Sequence, residues 1–506
     1  MDFKFSQKSL DLQEKMNKFF EEHIFPNEEA YEKAILDSGD PLHIPELLDE
    51  LKEKARKENL WNLFLPDSEY GAGLTNVDYA PLAEITGQVW WAPEVFNCSA
   101  PDTGNMEILA EFGTQEQKDQ WLTPLLNGDI RSCFAMTEPD VASSDATNIS
   151  SSIVSDGDNY VINGRKWWTS NAINPRAKIC IFMGITNPEN PPHTRQSQVL
   201  VPMDTEGITI VRPMHVYGYD DGYTGHPELN FENVVVPKSN IIGGEGMGFK
   251  IAQARLGPGR IHHCMRTIGM AERALQLMIK RALSRETFGT KISDHGVVQD
   301  WIARSRIKIE EARLLTLKTA WLIDNVGKEQ AKIEISAIKV GVIEAASYVI
   351  DKAIQAHGAM GVSQDTPLAK MSAGVRTLRI ADGPDEVHLR SIARSRIKIE
   401  EARLLTLKTA WLIDNVGKEQ AKIEISAIKV GVIEAASYVI DKAIQAHGAM
   451  GVSQDTPLAK MSAGVRTLRI ADGPDEVHLR SIARRCLLYT SPSPRDRSLS
   501  RMPSSA

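Results

Sequence analysis

The sequence has few cysteines and no long apolar or basic stretch. Its five cysteines (Cys98, Cys133, Cys180, Cys264 and Cys486) are scattered and form no C-x-x-C pair. This pattern predicts reduced thiols in an intracellular protein and argues against a disulfide framework or a zinc site. No apolar run approaches the ~20 residues needed to span a bilayer. The net charge is −8, which, without a long basic stretch, argues against nucleic-acid binding.

Common catalytic motifs are also absent: the chain has no P-loop, no H-E-x-x-H and no G-x-S-x-G. The glycine-rich run at 243–248 lacks the G-x-G-x-x-G order, so we interpret it as a turn between domains. His262, His263 and Cys264 are adjacent, and adjacent helical residues point in different directions, so no metal site is predicted. With 42% hydrophobic and 25% charged residues, the composition is that of an ordinary globular protein.

An identical duplication sets this sequence apart. Residues 302–394 recur without change at 392–484. True repeat proteins diverge between copies and need about three or more units. We therefore interpret 392–484 as an artefact of recombination or sequence assembly, with a recent genuine duplication as the alternative. The Ser-, Pro- and Arg-rich segment 485–506 is expected to be disordered and foreign, which places the native C-terminus outside this sequence.

The rest of the chain divides into three zones, which predict an α+β multidomain fold. Residues 1–133 have helical periodicity, with Ser6 as an N-cap and Pro45 opening a second run. Residues 134–243 contain short strand candidates at 179–183, 198–201, 208–211 and 234–237, together with a hairpin signal at Asn163-Gly164, and predict an antiparallel β domain. Residues 244–391 are helical again. Their seam of Ile335, Ile338, Val342, Ala345 and Val349 is typical of a four-helix bundle.

Three segments have candidate chemistry. The first, Phe134 to Ser144, is by spacing alone a strand that ends in a polar turn. The second, Lys166 to Asn171, is equally a strand with an aromatic core or an apolar wall with polar donors for a planar heteroaromatic ligand. The third, Ala381 to His388, has the proline and acids of an ordinary helix start.

Taken together and in order, these motifs point to one family. The chain contains M-T-E-P-D with trailing serines, N-G-R-K-W-W-T-S, R-x-x-F-G, Q-A-x-G-A-x-G and A-D-G-P-D-E-V-H. It resembles the acyl-CoA dehydrogenases over residues 1–394, and most closely the branch called family members ten and eleven. That branch has a kinase-like domain upstream. The present chain is then either a stand-alone module or lacks that N-terminal part.

The resemblance implies a flavoenzyme in which FAD lies between the β domain and the bundle of a homo-oligomer. It implies cofactor-binding, substrate-binding and catalytic positions. Among the cofactor-binding positions, Arg285, Gln355, Gly358 and Ala359 would serve the neighbouring subunit's FAD. The cofactor-binding positions it implies are Phe134, Met136, Thr137, Ser143, Trp168, Thr169, Ser170, Arg285, Gln355, Gly358, Ala359, Pro384, Asp385 and Glu386. The implied substrate-binding positions are Ser144, Gly257, Pro258, Gly259, Arg260 and Gly383.

Most members of the family have Glu-Gly at the position of the catalytic base, whereas this chain has Asp382-Gly383. We expect Asp382 to abstract the α proton of an acyl-CoA, with a hydride passing to flavin. A base in a water-poor site gains basicity. The duplicate residues Asp472, Gln445 and Gly448 compete for the same roles, and the first copy is favoured because it directly follows Arg285.

Further expectations follow from the resemblance. The substrate is expected to be a long-chain acyl-CoA in fatty-acid β-oxidation, and the electron acceptor an electron-transferring flavoprotein. The rival hypotheses are a related flavin oxidase or monooxygenase and a non-catalytic acyl-CoA- or flavin-binding scaffold. No targeting signal is visible. The expected location is intracellular: cytoplasmic in a prokaryote, mitochondrial or peroxisomal in a eukaryote.

Overall fold

The computed structural model describes residues 4–66, 69–392, 394–447, 450, 452–453 and 456–489. Its N-terminal part is helical, as predicted. Ser6 caps the first helix by accepting a hydrogen bond from the Ser9 backbone N–H, and Pro45 precedes the third. None of the described helices combines the length and apolar composition needed to cross a bilayer. The helices of this part are α1 Gln7–Phe19, α2 Glu28–Ser38, α3 Glu46–Lys57, α4 Asn76–Thr86, α5 Ala92–Val95, α6 Asp102–Phe112, α7 Gln115–Gln117 and α8 Thr123–Asn127.

A seven-stranded sheet follows, made of β1 Arg131–Ala135, β2 Ser152–Asp156, β3 Asn159–Lys166, β4 Ala177–Ile185, β5 Gln196–Pro202, β6 Ile208–Arg212 and β7 Glu228–Pro237. The strand order is β1-β4-β2-β3-β7-β6, with β5 also paired to β4. Its ladders are mostly antiparallel, as predicted, but β1 and β2 run parallel to β4. Parallel pairing is possible here because long connections, rather than tight turns, join these strands.

The hairpin predicted at Asn163-Gly164 is wrong. These residues lie inside β3, where the pairing with β7 shifts register between Ile162 and Gly164. A Cβ on Gly164 would lie 2.1 Å from the Ser151 Oγ, so the glycine serves a close strand contact, which is its other common role in a strand. The β2–β3 hairpin instead turns at Gly157, whose φ is +54°.

The C-terminal part begins with a helix of 37 residues, α9 (Gly248–Ser284). This helix packs against α4 and α6 of the N-terminal part and against two later helices of the bundle. Two glycines bring α4 and α9 to backbone contact. A Cβ on Gly269 would lie 1.8 Å from the Glu84 carbonyl oxygen, and one on Gly87 would lie 2.0 Å from the Arg266 carbonyl oxygen. Only glycine permits an approach of this kind.

The first copy of the repeat supplies most of the bundle. Its helices, which follow a hairpin of β8 Glu286–Thr287 and β9 Thr290–Lys291, are α10 Gly296–Val326, α11 Lys332–His357, α12 Leu368–Leu378 and α13 Asp385–Ser391. The predicted seam of α11 is buried, Gly358 ends that helix, and Pro367 precedes the next. Helix α13 stops at Ser391, immediately before the sequence enters the second copy.

The second copy repeats these helices as α14 Arg394–Asn415, α15 Lys422–His447, α16 Leu458–Leu468 and α17 Asp475–Tyr489. Helix α14 packs against both α10 and α15, and α17 lies against α10 and α15 as well. The final helix of the bundle therefore comes from the second copy. By contrast, α16 has no buried residue.

The segment 485–506 was predicted to be disordered, and this is wrong for residues 485–489. Helix α17 continues to Tyr489, because Cys486 extends the apolar spacing of Leu479, Ile482 and Ala483, and all four are buried. The remainder of the predicted tail lies outside the described residues.

A buried charge cluster joins the helical part to the sheet. The Lys52 ammonium lies 2.7 Å from a Glu94 carboxylate oxygen, and the fully buried Arg131 of β1 contacts the same oxygen. Arg131 also donates a 2.7 Å hydrogen bond to Asn97 Oδ1. Burial alone would raise the pKa of Glu94, but Arg131 and Lys52 lower it. Glu94 is thus the carboxylate that these two buried cations share.

Replacing Glu94 by Gln should therefore destabilise the protein. The change leaves Arg131 and Lys52 buried without their shared counter-charge, a loss of about 3–5 kcal/mol. A lower urea midpoint, measured by far-UV circular dichroism, is the expected result. Glu53→Gln is the matched control, because Glu53 pairs with Arg56 at the surface, where an ion pair contributes at most about 1 kcal/mol. Equal shifts for the two variants would contradict the role assigned to Glu94.

Candidate active site

Asp382 lies in the turn between α12 and α13, facing the middle of α9. Its backbone φ is +56° and that of Gly383 is +105°. A Cβ at Gly383 would lie 3.1 Å from the His388 Nε2. The Arg260 Nε donates a 3.0 Å hydrogen bond to the Asp382 carbonyl oxygen. The Asp382 Oδ2 lies 3.4 Å from the His263 Nε2, and the carboxylate is 18% exposed, so the turn presents it to a sheltered space beside α9.

The basic side chains around this carboxylate oppose the effect of burial on its pKa. Burial alone would raise the pKa of Asp382, but four basic side chains together hold it below its ordinary value: His263, Arg255, Arg260 and Lys339. Burial lowers the pKa of His263 itself to about 4, so its ring is neutral at pH 7. Because the pKa of Asp382 is lowered, its carboxylate is ionised at neutral pH. From the sequence we expected a more basic carboxylate, and the lowered pKa corrects that expectation.

The predicted substrate segment, Gly257 to Arg260, lies in α9 beside Asp382. Pro258 has no backbone N–H to donate within the helix, yet α9 continues through it. A Cβ placed on Gly257 or Gly259 would meet nothing within 4 Å. Both glycines therefore border open space, and Arg260 connects this segment to the Asp382 turn.

Arg255 connects Asp382 to the end of β1. Its guanidinium lies 4.2 Å from the centre of the Phe134 ring, its Nε donates a 3.1 Å hydrogen bond to Asn105 Oδ1, and its charge acts on Asp382. Met136, two residues beyond Phe134, packs in a small apolar cluster that includes Ala252 of α9. The first half of α9 thus brings the loop after β1 and the Asp382 turn to one region.

That loop is fixed by a buried ion pair that was not predicted from the sequence. The Lys166 ammonium lies 2.7 Å from a Glu138 carboxylate oxygen and also donates to the Met136 carbonyl oxygen at 3.0 Å. Ser150 and Ser151 donate backbone N–H groups to the same carboxylate. Burial alone would raise the pKa of Glu138, but Lys166 and these serines lower it to about 2. Both residues occur in the quoted motifs, but spacing gives no sign that they pair.

Thr137 and Ser143 are held by the same loop. The Thr137 Oγ1 donates to the Trp167 carbonyl oxygen at 2.8 Å. The Ser143 Oγ accepts from the Glu138 backbone N–H at 2.8 Å and donates back to the Glu138 carbonyl. Ser143 is therefore buried in the turn, whereas Ser144 is exposed.

Trp168 and its neighbours form an aromatic wall with a polar edge. Trp168 has a φ of +51° and is 38% exposed. Thr169 is buried, and its Oγ1 has no hydrogen-bond partner among the described residues. The Ser170 Oγ lies 2.7 Å from the His226 Nδ1. An exposed aromatic face next to a buried hydroxyl of this kind fits a planar ligand with polar edges, which is what a flavin presents.

A second group of predicted residues lies elsewhere. Arg285 follows the end of α9, and Gln355, Gly358 and Ala359 lie at the end of α11; all four are exposed. At a rise of ~1.5 Å per residue, Arg285 is roughly 33 Å along α9 from His263. The structure therefore does not bring this group together with Asp382 within one chain.

The remaining predictions concern the start of α13 and the second copy. Pro384 precedes α13, Glu386 is exposed, and the buried Asp385 forms a 2.6 Å ion pair with the Arg379 Nε, which ties it to the turn itself. In the second copy Asp472 and Gln445 are not buried, and Gly448 lies outside the described residues. The structure thus places Asp382, and not Asp472, against α9.

No metal site was predicted at His262, His263 and Cys264, because adjacent helical residues point in different directions. His263 nevertheless contacts Asp382 in the structure. His262 is buried against the rings of Tyr79 and Phe64. The same helical geometry directs His263 toward Asp382. The sequence contains a signal that Arg260 and His263 act on the same neighbour, because they are three residues apart and share one helix face.

Models of the three acyl-CoA dehydrogenase domains match the chain in order. The N-terminal domain matches residues 6–129, the middle domain 133–234, and the C-terminal domain 246–397 and again 390–487. The chain belongs to the acyl-CoA dehydrogenase family. The second C-terminal match corresponds to the repeated segment.

Similar proteins agree with this assignment. "Probable acyl-CoA dehydrogenase FadE2" of Mycobacterium tuberculosis is 54% identical over 79% of this chain and 98% of its own length. Acyl-CoA dehydrogenase family member 11 of mouse is 52% identical over 80% of this chain, but the chain spans only 52% of that protein. A solved acyl-CoA dehydrogenase complexed with FAD, from Bacillus anthracis, has the same fold, with 22% identity, a TM-score of 0.80 and 96% of each chain covered.

These comparisons confirm the predicted family and its ten/eleven branch, the fold class and the flavin-dependent oxidoreductase class. The duplication is a feature of this chain's sequence, and both copies match the same C-terminal domain model. The roles of individual acyl-CoA dehydrogenase site residues stay predictions.

The Glu138–Lys166 pair can be tested by comparing single and double variants. Glu138→Gln leaves a buried ammonium without its counter-charge and should destabilise the β domain by about 3–5 kcal/mol. Glu138→Gln/Lys166→Met removes both charges and should recover much of this loss. The measurement is urea unfolding followed by tryptophan fluorescence, because Trp167 is bonded to Thr137 in the same loop. A double variant that is less stable than the single variant would refute the pairing.

Proposed function

We propose that this chain catalyses the FAD-dependent α,β-desaturation of a long-chain acyl-CoA in fatty-acid β-oxidation. The observation that supports this proposal most strongly is the placement of Asp382. An ionised, largely sheltered carboxylate lies against His263 of α9, a helix in which a Cβ on Gly257 or Gly259 would meet nothing within 4 Å. A carboxylate in that position suits the removal of a weakly acidic proton from a substrate laid along α9.

The residues near the ends of β1 and β3 fit a flavin. Trp168 would provide an aromatic wall, and Thr169 and Ser170 would provide hydroxyl groups at its edge. The residues that would line the opposite side are Phe134, Met136, Thr137 and Ser143, with Pro384 and Glu386 bordering it from the α13 turn. A bound flavin supplies the two-electron acceptor that no amino-acid side chain offers.

Asp382 would act as the general base. In the resting site its carboxylate is ionised and so can accept a proton. An acyl chain lying over Gly257 and Gly259 displaces water, which raises the proton affinity of a carboxylate. The Cα–H electron pair of the substrate would then form the new Cα–Cβ double bond as the proton moves to Asp382, the Cβ–H bond breaks and its hydride is accepted by the bound flavin. Arg260 holds the turn through the Asp382 carbonyl and is a positioning residue.

Arg285, Gln355, Gly358 and Ala359 would hold the FAD of a neighbouring subunit. They are exposed at one end of the bundle. Burial lowers the pKa of His357 at the end of α11, and the charge of Arg281, near the end of α9, lowers it further, so these two helix ends are close to each other. An arginine and backbone groups at one exposed end suit a pyrophosphate from another chain.

The first experiment is a visible spectrum of the purified 506-residue chain, recorded anaerobically before and after addition of a long-chain acyl-CoA. We expect a yellow protein whose flavin absorption bleaches on addition. A flavin band that persists would favour the non-catalytic scaffold. Re-oxidation at an equal rate with dioxygen and with an electron-transferring flavoprotein would favour the oxidase over the dehydrogenase.

Asp382→Asn should retain FAD and bind acyl-CoA but reduce its flavin about 10²- to 10⁴-fold more slowly, because the proton acceptor is lost. Stopped-flow absorbance under anaerobic conditions measures this rate. Asp472→Asn is the matched control, since it makes the same change in an identical local sequence, and it should react at the wild-type rate. Slow reduction by Asp472→Asn with normal reduction by Asp382→Asn would transfer the role to the second copy.

The cations around Asp382 predict a pH effect. Because they lower its pKa, the wild-type kcat/KM, which reports the free enzyme, should show no acidic limb above pH ~5. Arg255→Met removes one fixed charge, raises the pKa of Asp382 and should move the acidic limb upward. Arg212→Met, which changes an arginine of the β domain whose side chain is 57% exposed, is the control. An unchanged profile in Arg255→Met would show that this charge does not set the ionisation of Asp382.

A further inference from the structure

The Ser170 hydroxyl belongs to a series of polar contacts that leads from the aromatic wall of the β domain to the bundle. The Ser170 Oγ lies 2.7 Å from the His226 Nδ1. The other ring nitrogen, His226 Nε2, lies 3.2 Å from the Asp221 Oδ2. The second oxygen of that carboxylate, Oδ1, lies 3.8 Å from the Lys370 ammonium of α12. A serine, a histidine and a carboxylate are therefore connected in order.

Main-chain hydrogen bonds bring Ser170 and His226 together. The backbone N–H groups of the residues before and after Ser170 donate to the carbonyl oxygens of the residues after and before His226, at 3.1 and 2.9 Å. The side chains of His226 and Asp221 are only 24% and 21% exposed. The contact is thus built into the paired backbone of two segments and is largely sheltered from solvent.

The charge of Asp221 decides which atom of the series donates. Burial alone would raise the pKa of Asp221, but the hydrogen bond from His226 and the charge of Lys370 lower it. Its ionised carboxylate can only accept, so the His226 Nε2 donates to it. In a neutral imidazole the other nitrogen is then an acceptor. The Ser170 O–H therefore donates to the His226 Nδ1, and the Ser170 Oγ has only lone pairs to offer on its other side.

We propose that His226 and Asp221 are positioning residues that turn the Ser170 proton away from the flavin and so make the Ser170 Oγ an acceptor toward the cofactor's edge. This inference rests on the proposed function, because it takes Ser170 to lie at the edge of a bound flavin. Hydrogen bonds to the flavin ring nitrogens tune its electronics. A ring nitrogen that accepts in the oxidised form carries an N–H in the reduced form, so an acceptor oxygen beside it favours reduction.

The reduction potential of the FAD-loaded full chain tests this inference. His226→Phe keeps an aromatic ring but removes the acceptor, so the Ser170 O–H becomes free to donate to the oxidised cofactor. The equilibrium constant for reduction should then fall about tenfold, which lowers the potential of a two-electron couple by ~30 mV. The measurement is an anaerobic titration against a reference dye at about pH 9, where an imidazole of ordinary pKa is neutral.

Two further variants show whether the effect passes through Ser170. His215→Phe is the matched control, because His215 lies 3.9 Å from Asp220 in the same connection and is 47% exposed; it should keep the wild-type potential. In a Ser170→Ala background, His226→Phe should cause no further shift, because the hydroxyl that transmits the effect is gone. With FAD bound, an unchanged potential in His226→Phe, or an equal shift without the Ser170 hydroxyl, would overturn the inference and leave the proposed function intact.

A second measurement needs no flavin and does not depend on the folding of His226→Phe. The ring nitrogens of isotope-labelled histidine are observed by NMR in the full chain at about pH 9, and the His226 signals are those missing from His226→Asn. We expect a ring protonated at Nε2. A ring protonated at Nδ1 would overturn the inference, because Ser170 would then accept from His226 and turn its own O–H outward. The expected ring in a chain that binds no FAD would support the placement of the Ser170 proton and contradict the proposed function.

Discussion

The backbone contact between α4 and α9 is the constraint on which the arrangement of the site depends. Gly87 and Gly269 let the two helices approach until carbonyl oxygens occupy the space that side chains would need. This contact fixes α9 against the N-terminal part. Because Arg255, Arg260 and His263 all lie on α9, it also fixes the side chains that surround Asp382. A looser helix pair would move these three side chains relative to the turn that contains the carboxylate.

Much of the fold was predictable because its signals are local. The Ser6 cap, the apolar seam of α11 and the strands at 179–183 and 198–201 each follow from periodicity or capping within a few residues. The prediction of a hairpin turn at Asn163-Gly164 was wrong because it, too, rested on a local signal. Its local preference is a hairpin turn, but the contact of Gly164 with Ser151 is a tertiary one, and tertiary contacts override local preference.

The site was only partly predictable. The residues near the proposed flavin came from resemblance to a family. Spacing alone left Phe134 to Ser144 as a strand and turn, and left Lys166 to Asn171 open between a strand and a wall for a planar ligand. The pairing of Glu138 with Lys166 and the approach of His263 to Asp382 join positions that are far apart in the chain. The lowered pKa of Asp382 was missed for a physical reason. Burial was expected to govern it, but His263, Arg255, Arg260 and Lys339 together outweigh burial, and their positions are known only once α9 and α11 are placed.

The duplication has a consequence for how the chain folds. Since both copies have one sequence, the contacts of Asp382 with α9 could be made as well by Asp472, and contact energy alone does not choose between them. The choice rests on connectivity, because the route from α9 to the first copy is shorter. Loop-closure entropy grows slowly with length, by roughly 0.6 kcal/mol for each doubling. The gap between the two arrangements is therefore narrow, and during folding the copies compete for one docking position.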